Sequence, residues 1–125
     1  MTPAEELTAA ADRLNELVAK ATPGRWKLWG MEVLADIDGT SNVDTALPVA
    51  RTSHEAGLRT FNATYIAAMN PLVGKALAEW LRVEARRYAK HPPNVQDFFA
   101  GDIEGEEREL DYCVRIARLI NGSRS

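Results

Sequence analysis

Few residues in this chain are equipped for chemistry, and their spacing decides what is open to them. His54 stands in a turn-like segment beside Ser53 and Glu55, and His91 ends a helical stretch next to two prolines. Neither neighbourhood carries a nucleophile–base–acid constellation, so both read as surface or capping residues. A metal held by both histidines and a carboxylate has no supporting spacing. Cys113 is the only cysteine, so the chain has no intrachain disulfide and no cysteine-based zinc site. Its place on an apolar helical row reads as core. Gly74-Lys75 hints at a phosphate-binding loop. However, Met69 stands where the first glycine is needed and Ala76 where Ser or Thr is needed.

What is left is charge and aromatic surface. Between Asp97 and Asp111 the acidic residues are opposed by Arg108 alone. No calcium-loop pattern is present there. The bland reading is a solvated loop and helix start. The sharper one is an acidic face for a basic partner, formed by Asp102, Glu104, Glu106 and Glu107. A basic group, Arg82, Arg86, Arg87 and Lys90, ends a helix, where the helix dipole favours it. Arginine forks also suit phosphate. Together with Arg25, Trp26 and Trp29 these arginines are the candidates for a ligand or interface site. No cofactor motif is present.

The elements that would position these residues follow from periodicity and caps. Thr2, Pro3 and Glu5 form a capping box that opens a helix over 3–20. Residues 25–52 lose the helical period and read as a β meander of two or three strands. Asp38-Gly39 marks a hairpin turn, and Pro48 marks an edge strand. As a strand, 25–29 puts Trp26 with Leu28 on one face and Trp29 with Lys27 on the other. Helices follow at 58–69 and 71–90, with Asn70 capping the second and Pro71 as its first residue. Gly74 would let a neighbouring helix approach closely. "HPPN" breaks the chain into an acidic loop at 92–103. A last helix over 104–120 ends at Asn121-Gly122. The expected fold is α+β, one domain over 1–125, with three or four helices on a small antiparallel sheet. The expected core includes Leu14, Leu17, Trp26, Val33, Ile66, Leu77, Trp80, Leu81, Val114 and Ala117.

Composition narrows the function classes. The chain has 125 residues, a net charge of -3, 46% hydrophobic and 26% charged residues. A mildly acidic chain lacks the basic excess of a general nucleic-acid binder. Its N-terminus has no apolar leader and no stretch is long enough to span a bilayer, so a cytoplasmic protein is expected. At this size only about two-thirds of the surface is buried, which favours a homo-oligomer.

The segments "ATPGRW" and "FNATYIAAMNPLVGKALAEWL" bring a family into view. They carry Thr22, Pro23, Gly24 and Trp26, then Asn62, Ala63, Tyr65, Ile66, Ala67, Ala68, Asn70 and Pro71. With the tail "DYCVRIARLI", they resemble small accessory proteins of actinobacterial phages and prophages, including the Ead-like proteins. That family carries "TPGPW" and "FIAxxxP" elements. Arg25 replaces a common proline, and the acidic stretch 97–111 is an insertion relative to the pattern. The family has no established catalytic residues. The resemblance therefore implies a non-enzymatic phage protein that binds a host component in the bacterial cytoplasm. An alternative is an oligomeric sponge for a nucleotide immune signal. There, arginines would pair phosphate and tryptophans would stack bases. An enzymatic alternative is a metal-dependent nuclease using the acidic segment for magnesium.

Overall fold

The computed structural model describes residues 1–29, 32–36, 46–51, 58–101 and 110–122. In order these form α1 (Pro3–Lys20), β1 (Arg25–Trp29), β2 (Glu32–Asp36), β3 (Leu47–Arg51), α2 (Leu58–Ala68), α3 (Pro71–Ala89), α4 (Pro93–Ala100) and α5 (Tyr112–Asn121). The fold is α+β: helices with one antiparallel three-stranded sheet, in the order β1-β2-β3. The expected single domain groups into two compact units. A helical unit holds Met1–Glu16 and Ala76–Ser125, and a sheet unit holds Leu17–Lys75.

In the helical unit, local signals set the helix ends. Thr2 Oγ1 accepts from Glu5 N at 3.2 Å, and Glu5 Oε1 accepts from Thr2 N at 3.0 Å. This is the reciprocal capping box. Gly122 closes α5 at φ 77°, a left-handed conformation that glycine adopts without Cβ strain. The core is built from Leu7, Ala10, Leu81, Tyr88, Val114 and Ala117, all almost fully buried. Polar groups tie its helices. Arg118 Nε donates to Glu6 Oε2 at 2.7 Å, with both side chains mostly buried. Gln96 Oε1 accepts from Ala4 N at 3.1 Å, and its Nε2 donates to the His91 carbonyl at 2.8 Å. The Ala4 bond satisfies one of the N–H groups a helix start leaves open.

The sheet unit centres on β2. Val33, Leu34 and Ala35 are all buried, although successive side chains point to opposite faces. Trp26 pairs with Ala35 and Leu28 with Val33. On the other face, Lys27 Nζ lies 3.7 Å from the buried Asp36 carboxylate. β3 is an edge strand, as Pro48 requires. The register shifts between Val33 and Leu34, which leaves Val49 as the extra residue of a bulge next to Pro48. α2 packs against the strands. Asn70 Oδ1 accepts from Leu72 N at 3.0 Å and so caps α3. A Cβ at Gly74 would sit 2.9 Å from Val18 Cγ2, so glycine permits the close approach of α1 and α3 there.

Three expectations change. The acidic loop expected at 92–103 contains α4, because proline pre-sets the first helical φ as readily as it ends a helix. Asp111 is extended (φ -54°, ψ 134°), so the last helix begins at Tyr112 instead of continuing from 104 through this point. Leu17 and Trp80, expected in the core, are 52% and 39% exposed. α3 buries Ala78, Leu81, Ala85 and Tyr88, and Trp80 stands about 100° away from Leu81 around the helix. The Asp38-Gly39 turn, His54 and residues 104–109 lie outside the described residues.

Candidate functional site

The two units divide the arginine and tryptophan candidates. In the sheet unit, Arg25 is exposed at the start of β1. Trp26 is partly buried, and its Nε1 donates to the Thr22 carbonyl at 2.9 Å. That bond ties the tryptophan to the segment that precedes the strand. The backbone of Trp29 pairs with Glu32, and its side chain lies outside the described residues. The acidic face of Asp102, Glu104, Glu106 and Glu107 also lies outside them.

In the helical unit, α3 sends its arginines in different directions. Arg87 is held in place. Its Nε and Nη2 donate to Glu84 Oε2 at 3.0 and 2.5 Å, and Nη2 lies 3.5 Å from Asp111 Oδ2. Its guanidinium sits 5.0 Å over the Tyr88 ring. The bond to Glu84 holds the Arg87 pKa above its usual value. Tyr88 donates its phenol proton to Asp111 Oδ2 at 2.5 Å. Burial first, and that bond second, raise the phenol above its ordinary pKa. Cys113 is buried beside this cluster. Burial and the Asp111 carboxylate push its thiol up to about 12. A thiol so shifted is not a thiolate nucleophile at neutral pH. The cluster holds α3 against the start of α5.

Arg82 and Arg86 come together. They line a groove of 580 Å³ between α1 and α3. Its floor is small, with Ala4 and Ala85 nearly buried and Ala9 and Ala89 beside them. Its α1 wall carries Glu5 and Asp12, and its α3 wall carries the two arginines. Arg82 Nη2 lies 2.6 Å from Asp12 Oδ1 and bridges one end. Among the described residues Arg86 has no ion-pair partner. The groove is open, and its described lining holds no aromatic ring.

Sequence reasoning misses the outward face of α3. Ala76, Trp80 and Val83 share it, with Trp80 and Val83 39% and 51% exposed. The signal is present in the chain. The apolar residues of α3 are too many for one face, and the surplus falls outside the core row, with Val83 opposite it and Trp80 on its flank. His91 is exposed, with its ring 5.0 Å from that of Phe99.

Among the described residues, no group of three or more His, Cys, Asp or Glu is placed to hold a metal ion, and no helix is long and apolar enough to cross a membrane. Comparison with protein-family models, curated proteins and solved structures finds no match to the chain.

Proposed function

We propose that this chain is a non-enzymatic phage accessory protein that binds a host protein in the bacterial cytoplasm, using the outward face of α3. The observation that carries the reading is Trp80. A tryptophan 39% exposed on the flank of α3, about 100° from Leu81 and next to the outward-facing Val83, leaves a contiguous apolar surface in water. Tryptophans so placed are characteristic anchors of protein interfaces. The phage origin rests on the "ATPGRW" and "NATYIAAMNP" segments. Two features weigh against catalysis. The Cys113 thiol is buried and protonated, and the Tyr88–Asp111 pair is tied into packing instead of facing a cleft.

A nucleotide sponge is less well served by the same surfaces. The groove that joins Arg82 and Arg86 lacks a described aromatic ring for base stacking, and it opposes the arginines with Glu5 and Asp12. Capture experiments from actinobacterial lysate test the main reading. The wild-type protein should retain a specific protein that a Trp80→Ala, Val83→Ser variant of equal melting temperature does not. No such protein, combined with a large melting shift by one member of a nucleotide panel, would replace this reading with sequestration.

A further inference from the structure

We propose that the α1–α3 groove is closed in solution by the same groove of a second copy, about a two-fold axis running along it. The groove has a direction. Asp12 meets Arg82 at one end. From there the lining runs toward the N-terminus on α1 and toward the C-terminus on α3, so the two walls are antiparallel. One wall is acidic and the other basic.

Few symmetry operators satisfy such a surface. A two-fold axis along the groove lays α1 of the second copy over α3 of the first, at the same height. The partner's Asp12 then faces Arg82, and the partner's Glu5 lies toward Arg86. Glu5 is about two helical turns from Asp12, and Arg86 is about one turn from Arg82. The long arginine side chain covers that offset. A two-fold axis across the groove would instead set α1 over α1 and bring like charges together. The charge pattern therefore selects one isologous arrangement, in which each contact occurs twice.

Shape agrees with charge. The floor of Ala4, Ala9, Ala85 and Ala89 leaves room for a second helix pair to approach closely. Arg86 has no ion-pair partner among the described residues, and the second copy supplies one. Trp80 and Val83 are not among the groove residues.

The test uses the full chain in sedimentation equilibrium. Wild type should form a salt-sensitive dimer. Arg86→Glu should weaken it about tenfold or more by placing the partner's Glu5 against a carboxylate. Glu5→Lys should do the same by setting a lysine against the partner's Arg86. Mixed together, the two variants should dimerise again. The mixed interface pairs the native Glu5 of one chain with the native Arg86 of the other, and the introduced lysine with the introduced glutamate. Circular dichroism melts identify any variant that fails to fold. The double variant Glu5→Lys, Arg86→Glu provides a second route to the restored pairing. A monomeric wild type overturns the proposal. So does an Arg86→Glu protein that dimerises like wild type, or a dimer abolished by Trp80→Ala, which would put the contact on the outer face of α3.

Discussion

The helical unit and the sheet unit solve the same burial problem with different materials. The helical unit buries many small residues, among them Ala10, Ala11, Ala78 and Ala117, and then ties its helices with polar groups from distant parts of the chain. Arg118 reaches Glu6, Gln96 reaches Ala4, and Tyr88 reaches Asp111. The sheet unit depends on one central strand, with Val33, Leu34 and Ala35 covered on both faces. Helices with alanine flanks approach closely but gain little apolar area per residue. Directional bonds then choose among the packings that alanines permit. A strand that buries Val33 and Leu34 on opposite faces gains area and takes its register from the ladder.

Deletion of a core side chain tests that difference most severely. Leu81 is the large aliphatic residue of α3 inside the helical core and is fully buried. Leu81→Ala should cost about 3–4 kcal/mol, because small neighbours cannot collapse into the cavity. Val33→Ala on β2 should cost about 2 kcal/mol, since less volume is lost. Chemical denaturation measures both. Hydrogen exchange should place the first loss in α1, α3 and α5 and the second in the sheet. A larger cost for Val33→Ala than for Leu81→Ala would mean that the sheet carries the greater share of the packing.

Much of this arrangement is readable from local signals, and the rest is not, for physical reasons. Thr2 with Glu5, Asn70 with Pro71, and Gly122 act within a few residues, so their sequence is their explanation. Pro48 announces an edge strand because it lacks an N–H. α4 escapes sequence reasoning because Pro92-Pro93 reads equally as an ending and a beginning. Trp80 reads as core because apolar spacing identifies a helix without saying which of two apolar rows faces inward. The groove is illegible. Asp12 and Arg82 become neighbours only when α1 and α3 pack side by side, and neither local sequence points to the other.

Alkaline pH offers a gentler way to separate the units. The Tyr88 phenol and the Cys113 thiol are both held neutral by burial, with pKa values raised in the folded chain. Their contribution is fully present below the unfolded values of 10.0 and 9.0 and is lost as pH rises through the folded ones. Above about pH 9 the unfolded chain binds fewer protons than the folded one, so stability falls with pH. The buried residues described in the sheet unit include no phenol or thiol. Thermal melts between about pH 8 and about pH 11 should therefore show a steeper decline in wild type than in Tyr88→Phe. At neutral pH the variant should lose about 1.5–3 kcal/mol, the range for a hydrogen bond to a charged acceptor. A parallel decline in both proteins would remove Tyr88 as the source.

The smallest effect concerns the bridge across the groove, and it separates a short distance from a strong interaction. Arg82 and Asp12 are 2.6 Å apart, yet their side chains are 40% and 62% exposed. Water screens such a pair, and holding two mobile side chains together costs entropy. In the isolated chain, Asp12→Ala should shift stability by no more than about 0.5 kcal/mol. The mostly buried Glu6–Arg118 pair behaves differently. Glu6→Ala should cost about 3 kcal/mol, because it removes the carboxylate that the mostly buried Arg118 guanidinium donates to. Melts of Asp12→Ala at rising protein concentration extend the comparison. If a second copy covers the groove, it removes the water that weakens this pair, and the cost of the substitution should grow with concentration. A cost that stays near zero at every concentration would mean that the Arg82 bridge faces solvent throughout.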